Sequence, residues 1–296
     1  FRTTRSLSVN LKQEQKVAVV TGGNKGIGKE IVRLFGKDPS ITTILACRSL
    51  EKGQQAIEEI VKADKTIENI HCIEFDLTEP SSSAAGIFDY IESNHDGKLD
   101  ILVNNGAICF NDPTLYGKVE HTPFERQADI TVKTNFWGTW KLTQALTPLL
   151  NKCEEGGSSP RLINIASSAG RLAILRSEDL VKRVTSDILT MEELEEIMLD
   201  FVRAVSSGSH ADAGWPNTCY GMSKLGIIAM TKVLARERPN WMCNTVDPGY
   251  CATDQNNNQG FRPAARGAVT PHLLATLPES QRYTGLHWFD EQTIEW

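Results

Sequence analysis

Short apolar runs alternate with helix-like stretches along this 296-residue chain, and that alternation limits the folds open to it. The runs are KVAVVT (16–21), TTILACR (42–48), IHCIEFD (70–76), LDILVNN (99–105), RLINIAS (161–167) and MCNTVDP (242–248), with GLHWF near the end reading as a seventh. Near-continuous apolar strands separated by helices are the pattern of a parallel sheet buried on both faces. The expected fold is α/β, a doubly wound, Rossmann-like parallel sheet of about seven strands. Ligands in such sheets bind beyond the carboxyl ends of the strands. Hydrophobic residues make up 40% of the chain, enough to bury one large core, and neither an internal repeat nor a low-complexity linker divides it. One domain over 16–296, preceded by a flexible leader over 1–15, is the expected organisation.

One segment breaks the rhythm. About residues 169–217 show no strand pattern, and TMEELEEIMLDFVRAV within them puts Leu194, Ile197, Met198, Phe201, Val202 and Val205 on one helical stripe. Thr190 and Glu193 make a capping-box pattern at its start. A packed surface helix, shielding part of the helical layer, is expected here.

The net charge of −6 argues against nucleic acid as the main partner. Apolar runs such as ITTILAC are too short to span a bilayer. The seven cysteines are odd in number and irregularly spaced, which fits buried, reduced thiols rather than a disulfide framework, and no zinc-type spacing is present. FRTTRSLSVNLKQ holds arginines and serines and no acid before Glu14. It reads either as the tail of an organelle transit peptide or as a disordered cytosolic leader.

TGGNKGIG (21–28) follows the first apolar run and opens a helical pattern, with Gly22, Gly26 and Gly28 spaced G-x-x-x-G-x-G. Glycine lets backbone approach a pyrophosphate, and a helix N-terminus offers that anion unpaired N–H groups. In this context the loop predicts a dinucleotide site. An NAD enzyme usually ends its second strand on Asp or Glu for the ribose 2′-hydroxyl. Here ACRS puts Arg48 there, and Lys25 adds a cation inside the glycine loop. Two cations suit a 2′-phosphate, so NADPH is expected over NADH. Asp76, at the third strand's end, is either an acceptor for the adenine amino group or a turn residue.

YGMSK puts Tyr220 and Lys224 on one face of a helix running to about Arg238. A free tyrosine titrates near pH ~10, and a fixed ammonium nearby lowers that value. Such a tyrosine can protonate a carbonyl oxygen as hydride reaches carbon. Ser167, ending the fifth run, can bond the reacting oxygen. Asn135, a poor helix former inside a helical segment, can hold a water linking Lys224 to solvent.

Together TGGNKGIG, NN after the fourth run, TNFWGT, NIASS, YGMSK and DPGYCATD resemble the short-chain dehydrogenase/reductase family, in the family's order over nearly the whole chain. TGGNKGIG, TNFWGT, the GWP before Tyr220 and the long insert are most similar to the NADPH-dependent carbonyl reductases. Plant reductases of the salutaridine and menthone type look similar too. The resemblance implies that Tyr220 donates the proton, Lys224 binds the nicotinamide ribose and tunes Tyr220, Ser167 positions the carbonyl and Asn135 completes a relay. It implies that Gly22, Asn24, Lys25, Gly26, Ile27 and Gly28 wrap the pyrophosphate. Asp76, Leu77 and Asn105 would then line the adenosine and ribose, and Pro248, Gly249, Cys251 and Thr253 hold the nicotinamide amide. Phe110 and Tyr250 are expected to join Ser167 against substrate. The long insert is associated with a monomer, because it covers the surface on which relatives dimerise.

Three departures stand out. The family's usual N-N-A-G reads Asn104-Asn105-Gly106-Ala107 here. A positive φ at Ala107 would cost about 1–2 kcal/mol and shift the loop. Asp247 precedes Pro248 where the family commonly has Cys or another uncharged residue; a carboxylate there would perturb nearby pKa values or bind a polar substrate group. The loop QNNNQGFRPAAR is unusually polar for a substrate loop. The leading expectation is a cytoplasmic, NADPH-dependent reductase of a small-molecule carbonyl, with no metal. Its rivals are an alcohol dehydrogenase oxidising one dedicated metabolite and a dinucleotide-sensing protein with a dead site.

Overall fold

A computed structural model describes residues 15–110 and 122–296; the expected leader, except Gln15, lies outside them. The strands are β1 (Lys16–Thr21), β2 (Ile41–Cys47), β3 (Ile70–Glu74), β4 (Ile101–Asn104), β5 (Arg161–Ile165), β6 (Met242–Val246), β7 (Cys251–Ala252), β8 (Arg262–Pro263), β9 (His287–Phe289) and β10 (Gln292–Ile294). The helices are α1 (Gly26–Gly36), α2 (Leu50–Ala63), α3 (Pro80–Asn94), α4 (Phe124–Val132), α5 (Thr139–Glu155), α6 (Glu178–Val184), α7 (Met191–Ser206), α8 (Cys219–Glu237), α9 (Ala264–Gly267) and α10 (Val269–Thr276). Eight strands form one sheet in the order β10-β9-β6-β5-β4-β1-β2-β3, while β7 and β8 pair separately. All neighbours in the large sheet run parallel except β10 against β9.

The sheet is doubly wound, as expected, and β1 shows why. Its residues alternate between two cores: Val17 and Val19 face the core under α3, α5 and α8, while Ala18 and Val20 face the core under α1, α2 and α10. The chain crosses from one side of β1 to the other between β3 and β4, so β1 and β4 flank the topological switch point. The eighth strand escapes a hydrophobic reading because Gln292–Ile294 is exposed throughout.

Several expected strands end early. β3 stops at Glu74 and β5 at Ile165, so Asp76 and Ser167 project just past the sheet. That is where ligands of this architecture sit.

The insert holds the expected helix, α7. Thr190 Oγ1 accepts from the Glu193 N–H at 3.1 Å, and the Glu193 carboxylate accepts from the Thr190 N–H at 2.9 Å. Its apolar stripe packs on α4 and α8. With the sheet beneath and α7 above, fifteen of the nineteen residues of α8 are buried. Among the described residues no helix is long and apolar enough to cross a membrane, and no group of His, Cys, Asp or Glu side chains can hold a metal ion. All seven cysteines carry free thiols.

Candidate active site

Two adjoining clefts lie along the carboxyl edge of the sheet, and Ile27, Asn105, Ala107, Thr253 and Gln255 line both. One runs over the glycine loop toward Arg48, Asp76 and Leu77. The other is walled by Ser167, Tyr220, Lys224, Pro248, Gly249, Tyr250 and Cys251.

In the glycine loop Gly22 and Gly26 adopt φ of 64° and 54°, a region that disfavours a side chain. Gly28 is needed for space: a Cβ there would stand 2.4 Å from the Gly22 carbonyl oxygen and 2.5 Å from Asn105 Nδ2. No side chain caps the N-terminus of α1, so its first N–H groups point to the cleft without a side-chain acceptor. Thr21 ties the loop to β4, its Oγ1 accepting from the N–H groups of Asn105 (3.0 Å) and Gly106 (2.9 Å). Asn105 returns the tie, donating from Nδ2 to the Thr21 carbonyl at 2.9 Å. Neither Gly106 nor Ala107 has a positive φ, so the strain considered for Ala107 does not arise.

The cations at this end are placed differently. Arg48 lines the cleft and is exposed. Lys25 pairs with Asp254 at 3.3 Å, across the mouth of the cleft from the loop after β7. The Asp76 carboxylate accepts from the Thr78 N–H (2.9 Å) and hydroxyl (2.8 Å), so its turn role is realised. One of its oxygens carries both bonds, and the residue still lines the cleft.

At the other end, Lys224 is buried and its ammonium donates to the Ile165 carbonyl at 2.6 Å. The ammonium also stands 5.6 Å above the Tyr220 ring centroid. Burial pulls the Lys224 pKa down to about 8, with Cys109 and Asp247 pulling it back up. Burial pushes the Tyr220 phenol up; the negative forms of Cys109 and Asp247 add to this, and Gln255 draws it back through a hydrogen bond. The net lowering expected from Lys224 is therefore corrected in this arrangement, because burial dominates at the phenol. Ser167 begins a tight 3-10 turn, and its Oγ accepts from the Ala169 N–H at 3.2 Å. The turn lies directly on α8. A Cβ at Gly170 would stand 2.6 Å from the Leu225 nitrogen, and one at Gly221 2.6 Å from the Ala169 carbonyl oxygen. These two glycines set the distance between Ser167 and the helix of Tyr220 and Lys224. The sequence held them in plain view, but only the packing shows what they do.

Asn135 sits in a π-helical turn (Lys133–Gly138) between α4 and α5. Its Oδ1 accepts from the Ile108 N–H at 2.8 Å, and its Nδ2 donates to the Ile108 carbonyl (2.9 Å) and Ser223 Oγ (3.0 Å). It thus fixes the strand exit of β4 against α8. Behind it a buried chain of amides runs from Asn104 to Asn164 to Thr231, each step 2.8 Å, joining β4, β5 and α8. Tyr250 is exposed and stacks near Phe261. Cys109, rather than Phe110, lines the cleft beside Tyr220 and Lys224. Cys251 is buried, and Thr253 covers Gly26, its Cγ2 3.2 Å from where a Cβ would be.

Sequence reasoning missed Gln255, which reaches both Tyr220 and Cys109. It also missed the destination of the polar loop's arginines. Arg262 pairs with Asp290, and Arg266 pairs with Asp290 at 2.9 Å and Glu291 at 2.6 Å, at the β9–β10 turn. Their charge holds the loop to the C-terminal hairpin instead of entering the cleft.

The cleft suits a dinucleotide: an uncapped helix N-terminus, a backbone-lined glycine loop and a cation at the far end lie along one groove. Residues 16–177 match the short chain dehydrogenase family. The chain is 35% identical to carbonyl reductase (NADPH) 3 of Rattus norvegicus, over 89% of this chain and 91% of that protein. It is 33% identical to (+)-neomenthol dehydrogenase of Capsicum annuum, over 89% and 92% of the two chains. The structure of salutaridine reductase from Papaver somniferum superposes with a TM-score of 0.81 at 29% identity, covering 93% of this chain and 99% of the other.

Proposed function

From the premise that this chain belongs to the short-chain dehydrogenase family and is an NADP-dependent oxidoreductase, we propose that it reduces an aldehyde, ketone or quinone to an alcohol. The observation that carries this reading is the meeting of Ser167, the Tyr220 phenol and the buried Lys224 ammonium at one end of the dinucleotide groove. Its relatives include carbonyl reductases by name.

Bound NADPH supplies the hydride. Ser167 Oγ and the Tyr220 hydroxyl hold the carbonyl oxygen, and Tyr220 passes its proton to that oxygen as charge develops there. The upward shift of Tyr220 keeps it in the donor form at neutral pH. Lys224 supplies positive charge beside the phenol, and its protonated fraction falls as pH rises through about 8. Asn135 acts as a positioning residue. Both its amide hydrogens are spent on Ile108 and Ser223, so any relay through it runs by an oxygen atom. Gly22, Asn24, Gly26, Ile27 and Gly28 take the pyrophosphate, Arg48 the 2′-phosphate, and Asp76, Leu77 and Asn105 the adenosine side. Pro248, Gly249, Cys251 and Thr253 take the nicotinamide side, with Tyr250 at the substrate mouth. The cover of α4 and α8 by α7 supports a monomer.

Mixing the protein with NADPH and menadione, isatin or an aromatic aldehyde should consume the reduced nicotinamide absorbance. No turnover on any of them overturns the carbonyl reading and leaves the oxidative one, tested with NADP and a panel of alcohols.

A further inference from the structure

Asp247 is the departure from the family pattern that the reaction scheme above does not use. It ends β6 on the cleft side, one residue beyond Val246, and is 6% exposed. Its two carboxylate oxygens have separate partners. Oδ2 accepts from the Ser168 N–H at 3.0 Å, and Oδ1 accepts from the Gly249 N–H at 2.9 Å. One side chain therefore joins the turn that carries Ser167 to the Pro248–Gly249 loop on the nicotinamide side. An asparagine offers one acceptor oxygen where the two bonds use two separate ones, and a cysteine is a poor acceptor.

The carboxylate also sits among the charges of the reaction end. The titratable groups that respond to it are Tyr220 and Lys224 on α8, Cys251 in its own loop and His287 on β9; Cys109, after β4, faces Tyr220 and Lys224 from the same cleft and acts on both in the same direction, more strongly than Asp247. His287 is turned away, its Nδ1 engaged with Thr245 Oγ1 at 2.9 Å. Among the described residues the Lys224 ammonium donates one hydrogen bond, to the neutral Ile165 carbonyl. A buried ammonium needs an opposite charge to keep its proton.

We propose that Asp247 is a positioning residue for the reaction, its carboxylate clamping the Ser167 turn to the nicotinamide loop and placing a buried negative charge in the same cleft wall as the Lys224 ammonium. This rests on the oxidoreductase reading of the same cleft. The sign is fixed by the charge. Asp247 favours the protonated forms of both Lys224 and Tyr220, so removing it lowers both pKa values. The working, protonated state is then lost at lower pH.

The test uses Asp247→Asn, Asp247→Glu and Asp247→Cys, the last a second uncharged variant that guards against a fold failure of the first. Two readouts need no turnover: NADPH affinity against pH, followed by nicotinamide fluorescence, and amide hydrogen exchange at Ser168 and Gly249. In the Asn and Cys variants the alkaline fall in affinity should move to lower pH by about one unit. Exchange at one or both amides should quicken about tenfold. The Glu variant should keep the alkaline limb near its original place while exchange still rises, separating charge from clamp. An unmoved alkaline limb in both uncharged variants overturns the role of the charge, and unchanged exchange overturns the clamp. If the limb and exchange move as expected but no carbonyl is reduced by the unaltered protein, the substrate reading fails and this one stands.

Discussion

The two ends of the cleft are built on different physics. At the adenosine end the work falls to backbone: Gly22 and Gly26 at positive φ, Gly28 pressed on Gly22, and an uncapped helix N-terminus. Its charged side chains, Lys25 and Arg48, stand in solvent. At the reaction end charged side chains are buried: Lys224 and Asp247 are 4% and 6% exposed. A charge in solvent is screened and can be replaced cheaply, whereas a buried one shifts every titratable neighbour. Alterations at the reaction end should therefore act on rate and pH profile. Those at the adenosine end should act on affinity and on the choice of cofactor.

The largest effect is expected at the reaction end. Tyr220→Phe removes the hydroxyl and keeps the ring over which Lys224 sits. Loss of a general acid costs about 10²–10⁴-fold in rate. Turnover should fall by at least the upper part of that range while NADPH binding stays close to normal. Retained turnover would reassign the proton donor, and Ser167 would be the next group to examine.

Gly28→Ala is the corresponding break at the adenosine end. The new methyl would lie 2.4 Å from the Gly22 carbonyl oxygen, which is backbone and cannot swing aside. Overpacking of this kind costs about 1–3 kcal/mol. The strain falls on the loop proposed to take the pyrophosphate, so NADPH should bind roughly ten- to a hundredfold more weakly. The rate at saturating NADPH should change much less. Titration of nicotinamide fluorescence measures the first effect, and steady-state kinetics the second. An equal loss in rate and affinity would erase the distinction between the two ends.

The same distinction explains what could be read from the residues in order. Strand alternation is a pattern in one dimension, so the sheet, its parallel sense and the α7 insert with its Thr190 cap were visible. TGGNKGIG is also local, since a loop's φ requirements are met by its own glycines. The reaction end joins residues more than fifty positions apart, and its motifs name side chains without their surroundings. Whether burial or a neighbouring ammonium governs Tyr220 depends on how β5, α7 and α8 pack, and burial prevails. Gly170 and Gly221 do not stand out as letters, because their purpose is the gap between a turn and a helix. Likewise Gln255 reads as one polar residue of a polar loop until the loop is folded beside Tyr220. The short β10 and the Arg262–Asp290 clasp were hidden for a simpler reason: exposed, polar strands carry no hydrophobic period.

The smallest effect, and the one that sharpens the contrast most, concerns the two exposed cations. Sequence treats Lys25 and Arg48 alike as partners of a 2′-phosphate. In the structure Lys25 is paired with Asp254 at 3.3 Å, whereas Arg48 lines the groove at the end of β2. A cation that already has a carboxylate partner gains less from a phosphate than one that meets the phosphate first, since the old pair must be given up. Arg48→Asp should therefore shift the NADPH-to-NADH preference, measured as the ratio of kcat/KM values, by about tenfold or more toward NADH. Lys25→Ala should shift it less, and Asp254→Asn, which releases Lys25, should move it slightly toward NADPH. Because these charges are screened, all three effects should shrink as salt is raised, whereas the loss in Tyr220→Phe should not. If Lys25→Ala matches Arg48→Asp, the Lys25–Asp254 pair opens when cofactor binds, and the two cations select it together.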